Sequence, residues 1–266
     1  MSLRSRLRLP KEHGAWAMLY VPFVVGASVG ANISLPLILL LLSSTFLFIA
    51  RESLLVCARA RSRGQRIREA ESTLLIYAAL AVISGAPLVL FYHLYILVPA
   101  GALAALLLVV NAQQAVRRED RTVLGEGMAI LGLTMTAPMA YVAGRLAWDV
   151  TALYLWALCA LYFTSSIFYV KLRVYSIAKR KQDERRKTWW RCAVYHISLL
   201  ALLVAGMLLD HLSLFALVAF APVLTRSFWH LAKPASQINL KRVGWTEMVY
   251  SLVFLIFITL TFRVSL

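Results

Sequence analysis

The sequence predicts an all-α membrane protein with nine transmembrane helices, its N-terminus inside and its C-terminus outside. Three observations carry that reading. Of the 266 residues, 61% are hydrophobic, well above the roughly 45–50% apolar usage of soluble domains. Nine apolar windows approach the ~20 residues that cross a bilayer core of about 30 Å: 14–31, 33–57, 73–92, 94–112, 123–144, 150–172, 190–209, 211–231 and 244–264. Finally, all but Arg145 and Arg263 of the 28 Lys and Arg residues fall in the N-terminal tail, in alternate gaps between these windows, or within two turns of those gaps. Basic residues near span ends stay cytoplasmic during insertion, which fixes the N-terminus inside, and an odd number of spans sends the C-terminus out.

The length suits one polytopic domain over residues 1–266. A net charge of +16 invites a nucleic-acid reading, but the charge is spread over short loops beside apolar spans and not over one face of a folded module. Membrane lipids, anionic on the cytoplasmic leaflet, are the expected partners, and nucleic acid is not. Cys57, Cys159 and Cys192 are scattered outside any CxxC spacing, so no disulfide framework, metal site or cofactor is expected. No small-residue cleavage site follows the first apolar run, which reads as a retained span.

The first span opens on Lys11-Glu12-His13-Gly14-Ala15-Trp16 directly after Pro10. Proline suits the first helical position, and an acid suits a helix N-terminus. Gly14 and Ala15 would admit a neighbouring helix or a ligand. The bland reading is a capped start with Trp16 as interfacial anchor; the functional one makes Glu12 and His13 a proton-transfer or binding pair. The second span carries Arg51 and Glu52 inside an otherwise apolar run. Arginine can snorkel to the interface, whereas a carboxylate reaches less far and is expected to face protein.

The third and fourth spans, 73–92 and 94–112, are apolar and joined by a tight turn near His93. In the fifth, Gly125 and Gly127 flank Glu126, and Pro138 should kink the helix. Glu126 is the leading functional candidate, weighed against a structural salt bridge. The sixth span bears Tyr162, Ser166, Tyr169 and Arg173 on one stripe, with Lys171 on another face. Interhelical hydrogen bonding accounts for the serine equally well. The run 179–187 reads as a solvated, lipid-facing loop before the seventh span. The eighth, 211–231, precedes Lys241, Gly244 and Glu247 at the mouth of the ninth.

An ionised side chain costs about 2.5–3.5 kcal/mol at mid-membrane. Four acids at span ends (Glu12, Glu52, Glu126 and Glu247) are most cheaply explained by a shared inner-face cavity, paired with Lys11, Arg51, Lys171, Arg173 and Lys241. Arg51, Lys171, Arg173 and Lys241 would bind an anionic head. Glu126, Glu52, Glu12 and His13 would be the catalytic set, with Gly125, Tyr169, Ser166 and Glu247 lining the cavity.

Four stretches carry a resemblance. They are P-K-E-H-G-A-W-A-M-L-Y-V-P-F, L-G-E-G-M-A-I-L-G-L-T-M-T-A-P-M-A-Y, S-S-I-F-Y-V-K-L-R and N-L-K-R-V-G-W-T-E. Together they resemble the YwiC-like family of bacterial membrane proteins. That implies a multi-pass protein of the bacterial inner membrane and brings no reaction with it. More distantly, the layout resembles the UbiA superfamily of intramembrane prenyltransferases: nine helices around a cavity, with loop aspartates holding Mg²⁺ and an allylic diphosphate. The corresponding stretches here, R-E-S-L-L-V-C-A-R-A-R-S-R-G and Y-V-K-L-R-V-Y-S-I-A-K-R, place Glu52 and basic residues where aspartates would stand. Magnesium needs carboxylate oxygens beside substrate phosphates. The resemblance therefore implies the prenyltransferase-like bundle without Mg-dependent prenyl transfer.

Three functional readings follow. One is a membrane enzyme acting on an amphipathic lipid or isoprenoid-type substrate whose anionic head sits in a cytoplasmic-side cavity. Another is a non-catalytic binding or transport protein for a small anion or lipid, though the paired broken helices of transporters are not evident. The third is a scaffold on an inherited prenyltransferase-like fold.

Overall fold

The computed structural model describes residues 13–117, 122–177, 182–233 and 240–264, and every regular element among them is an α-helix. In order these are α1 (His13–Gly30), α2 (Leu35–Arg61), α3 (Arg68–Leu90), α4 (Leu97–Val116), α5 (Val123–Thr134), α6 (Thr136–Arg145), α7 (Thr151–Ile177), α8 (Gln182–Leu208), α9 (Leu214–Ala232) and α10 (Leu240–Val264). Eight helical stretches are long and apolar enough to cross a membrane, with α5 and α6 together making one of them; the apolar helix Gly14–Gly30 is shorter. Large aliphatic side chains point outward along them, with Leu75 and Ile83 of α3 each 69% exposed. Such a surface suits hydrocarbon and not water. The chain is a multi-pass helical membrane protein.

The expected windows match these helices closely, with one correction. The stretch 182–187, read as loop, is the exposed start of α8. Asp183 and Glu184 in its first turn favour the helix dipole, and Lys187 pairs with Glu184 at 3.7 Å. Residues 179–181 lie outside the described residues, as do Pro10, Lys11 and Glu12.

The chain forms two compact units, Met1–Trp156 and Ala157–Leu266. In the first, α1 packs on α6 and α2 on α3. The α1–α6 seam is nearly bare backbone: a Cβ on Gly26 would overlap the Ala137 carbonyl, and one on Gly30 would lie 3.0 Å from the Tyr141 carbonyl. A neighbouring helix was expected at Gly14, yet a Cβ there, as at Gly127, meets nothing within 4 Å. Both lie near the exposed ends of their helices, away from the tightest crossing.

The break between α5 and α6 falls at Met135, three residues before Pro138. Proline has no N–H to give the Thr134 carbonyl, so the ladder is interrupted there. Nearby carbonyls find other donors: Trp156 Nε1 donates to Leu131 at 3.1 Å, and Thr136 Oγ1 donates to Leu133 at 2.9 Å. Thr136 also reaches the Leu19 carbonyl of α1 at 2.9 Å, tying the break to the seam.

The turns are pinned by polar side chains. Between α2 and α3, Gly64 takes a φ of 69°, and Arg61 and Arg66 both donate to Glu71, at 3.2 and 3.3 Å. After α6, Leu146 provides a left-handed cap with φ 57°. There Asp149 accepts from the Thr151 amide at 2.7 Å and from the Tyr141 hydroxyl at 2.6 Å, while Arg145 donates to that hydroxyl at 2.9 Å. Partial burial works against the Asp149 charge, but the Tyr141 and Thr151 hydrogen bonds and the Arg145 cation outweigh it. Its pKa lies below the ordinary value.

In the second unit the core is aromatic. Tyr162 stacks on Phe254 with centroids 4.0 Å apart, and Phe220 meets Phe254 edge-on at 5.4 Å. The buried His196 sits 2.8 Å from the Cys192 carbonyl through Nδ1 and 2.9 Å from Ser165 Oγ through Nε2. A carbonyl can only accept, so Nδ1 donates and a neutral ring accepts from the serine at Nε2. Tyr195 donates to the Leu161 carbonyl at 2.6 Å, joining α8 to α7.

Candidate functional site

Two polar clusters occupy the units, and they differ in construction. In the first unit, Arg51 donates to its neighbour Glu52 at 2.9 Å and to Asn111 Oδ1 of α4 at 3.0 Å. Asn111 Nδ2 in turn donates to the Gly125 carbonyl at 3.3 Å, and the Gly125 amide donates to Thr122 Oγ1 at 3.1 Å. Successive helical residues diverge by about 100°, but the long arginine stem curls back far enough to meet Glu52. This chain of bonds fixes the N-terminus of α5 against α2 and α4. Glu126 stands in that first turn. It is half-buried, as are Arg51 and Glu52.

The second unit builds a tighter arrangement from α7, α9 and α10. Arg226, 8% exposed, forms an ion pair with Glu247. Glu247 also accepts from Ser166 at 2.6 Å. The guanidinium lies over the Tyr169 ring, 3.8 Å from its centroid, and 5.5 Å from that of Tyr250. One turn further along α9, His230 lies 5.6 Å from Tyr169, centroid to centroid, and Arg173 Nη1 approaches its Nδ1 at 3.3 Å. The stripe expected on the sixth span is thus used in full. Tyr162 enters the aromatic core, Ser166 and Tyr169 hold the ion pair, and Arg173 meets His230.

Along α9 and α10 an open groove of roughly 550 Å³ runs beside this cluster. Val218, Ala221, Pro222 and Val253 line its apolar part; Arg226, His230, Trp229 and Tyr250 line its polar part. Polar groups gathered at one end of an apolar cleft match an amphipathic molecule. Nε and Nη2 of Arg226 have no hydrogen-bond acceptor among the described residues.

The expected pairing for Glu247, with one of the flanking cations, is corrected by this geometry: its partner is Arg226. That arginine reads in sequence as one more basic residue at a span end. The available signal was depth, because six further residues of α9, four of them apolar, follow it. Asn111, His230 and Tyr250 were likewise passed over. Lys171 is half-buried on α7. Glu12 lies outside the described residues, and of His13 and Lys241 only the helical backbone is described. No group of three or more His, Cys, Asp or Glu residues suited to a metal occurs among the described residues.

The helices and the two clusters define a class, a polytopic helical membrane protein. A family model described as YwiC-like protein matches residues 9–141, half of the chain, and the chain belongs to the YwiC-like family. No curated protein and no solved structure matches it.

Proposed function

We propose that this is a nine-span protein of the bacterial inner membrane that holds an amphipathic lipid or isoprenoid-type molecule by its anionic head. The head sits against Arg226, and the tail follows the groove between α9 and α10 into the bilayer. The basic gaps support an inside N-terminus, an outside C-terminus and a cytoplasmic position for the head. The α1 helix, 18 residues long, rises about 27 Å, short of a core of about 30 Å by about half a turn. The prenyltransferase-like order of spans belongs to the same reading.

One observation carries the proposal: a cation buried to 8% exposure lines an open groove with two N–H-bearing atoms unused. Buried donors without partners cost about 1–3 kcal/mol each, a cost that an oxyanion would remove once the side chain turns toward the groove it lines. Lipids co-purifying with the protein in mild detergent test this. An amphipathic anion should accompany the unaltered protein and fall about tenfold or more in Arg226→Gln. Equal recovery from both would refute it.

Turnover of the bound molecule is a second reading. It is favoured by the 2.6 Å bond from Ser166 to Glu247, which sets a carboxylate to receive a hydroxyl proton. In that reading Glu126, Glu52, Glu12 and His13 are further proton-moving candidates. A changed membrane-lipid profile in a strain carrying Glu126→Gln would favour it; a profile unchanged by both that variant and deletion of the protein would oppose it.

A further inference from the structure

The start of α8 takes no part in the groove, and its dimensions set it at a membrane surface. The helix has 27 residues, a rise of about 40 Å. Between Trp189 and Leu208 it rises about 30 Å, the thickness of a bilayer core. The remaining ~10 Å, residues 182–188, extends into the headgroup region; it is polar, and residues 182–187 are exposed. Trp189 Nε1 donates to the Leu231 carbonyl at 3.0 Å, which brings the end of α9 to this level. Trp229 in the last turn of α9 and Trp245 in the first turns of α10 are both more than half exposed, as indoles at a membrane interface are. Trp190 stands edge-on to Trp189 at 5.1 Å and faces outward.

Below that level one face of α8 continues as apolar surface. Arg186, Trp190, Val194 and Ile197 follow at i, i+4, i+8 and i+11, a single helical stripe. Trp190, Val194 and Ile197 are each more than half exposed, so the stripe meets hydrocarbon and not a neighbouring helix. Helical side chains lean toward the N-terminus, which carries the Arg186 guanidinium outward past the indole. Arg191, also exposed, starts one residue deeper than Trp190 and can snorkel to the same height. Four cations in this stretch, Arg185, Arg186, Lys187 and Arg191, stand beside two acids, Asp183 and Glu184. Glu184 pairs with Lys187 at 3.7 Å, and Arg186 and Arg191 have no ion pair among the described residues. Lys179, Arg180 and Lys181, just before the helix, add positive charge by sequence and form no part of the site.

The basic turn between α2 and α3 is built differently. There Arg61 and Arg66 are held by Glu71, and Arg59 donates to the Ala115 carbonyl at 3.4 Å. No tryptophan occurs between Trp16 and Trp148.

We propose that this face of α8 is a binding site for an anionic phospholipid, separate from the groove. The phosphodiester sits between Arg186 and Arg191, the glycerol region on Trp190, and an acyl chain on Val194 and Ile197. A zwitterionic headgroup brings its own ammonium into the same cationic field and gains less.

The full-length protein in phosphatidylcholine vesicles with increasing fractions of phosphatidylglycerol tests this. Either lipid in turn carries bromine on its acyl chains, which quenches nearby tryptophan, and Trp190→Phe run in parallel isolates the Trp190 signal. Phosphatidylglycerol should be enriched at Trp190 about tenfold over phosphatidylcholine, as two surface cations allow, and less so at high salt. Arg186→Gln with Arg191→Gln should bring the two lipids close to parity. Arg186→Lys with Arg191→Lys should keep most of the preference, and Arg63→Gln with Arg68→Gln should leave it unchanged. All four arginines are exposed, so the variants should fold. Equal quenching by both lipids in the unaltered protein overturns the proposal. So does a preference that survives the Arg186 and Arg191 glutamine variant, or one that the Arg63 and Arg68 variant abolishes as fully, since either reduces the site to diffuse surface charge.

Discussion

The two units each contain an arginine and a glutamate in contact, yet the pairs do different work. In the first unit Arg51 and Glu52 are sequence neighbours with side chains 20% and 33% exposed, and the arginine divides its donors between Glu52 and Asn111. In the second, Arg226 and Glu247 come from different helices, and the arginine side chain is 6% exposed. An ion pair that retains solvent contact contributes little, because water competes for both charges. A buried pair has already lost its hydration, so removing one partner leaves the other stranded. Burial, not the chemistry of the two residues, separates a local staple from a constraint on helix packing.

The strongest way to break this comparison is to remove each arginine in turn. Arg226→Leu should destabilise the protein by about 3–5 kcal/mol, read from thermal or denaturant unfolding in mild detergent. Arg51→Leu should cost about 1 kcal/mol. Replacing Glu247 by Met on top of Arg226→Leu should recover much of the loss, since no bare carboxylate is then buried. Equal losses for the two single variants would remove the distinction.

A smaller contrast lies within the first unit. Gly26→Ala forces a methyl group into the Ala137 carbonyl and should cost about 1–3 kcal/mol. Gly127→Ala enters open space and should be neutral or stabilising by up to about 1 kcal/mol. Unfolding midpoints of the two variants, compared side by side, test whether the seam or the helix end limits stability. Next, Asn111→Ala should cost about 1–2 kcal/mol by taking away the acceptor of Arg51 Nη2 and the side-chain bond to the Gly125 carbonyl. Its effect should add incompletely to that of Arg51→Leu, because the two residues share a hydrogen bond. Full additivity would mean that Arg51 and Asn111 act separately.

The smallest expected effect concerns pH. The Asp149 pKa is depressed below its ordinary 3.8 in the folded protein. Its contribution to stability is therefore complete above the unfolded-state value and disappears as pH falls through the lower folded-state value. Between pH 7 and pH 3 the unaltered protein should lose more stability than Asp149→Asn, and the two curves should converge at the acid end. Parallel curves across that range would show that Asp149 contributes nothing through its charge.

Much of the membrane architecture was legible because it rests on long, repeated signals. Span length, apolar content and the alternation of Arg and Lys each draw on dozens of residues, so the helix positions emerge within a few residues. The start of α8 escaped because its first turns are polar, and polarity near a bilayer reads as loop. Single contacts were less visible. The Ser166–Tyr169–Arg173 spacing correctly grouped three residues on one face, but no spacing links α7 to Arg226 or Glu247. Arg226 was hidden by its company: it borders a basic gap, and only the packing of α9 against α10 separates it from the other basic residues of that gap. Gly26 and Gly30 carried no polar neighbour to draw notice, whereas Gly125 and Gly127 stood beside a glutamate.

The glycine seam between α1 and α6 has one more consequence. Where side chains interdigitate, a helix can shift by exchanging one rotamer for another. Here main chain meets main chain at Gly26 and Gly30, and no such adjustment exists. A slide or roll of α1 that brought a residue with a side chain to either crossing point would drive its Cβ against the carbonyl of Ala137 or Tyr141. The first helix is locked in place like a key in its ward, and movement within this unit has to arise in other helices.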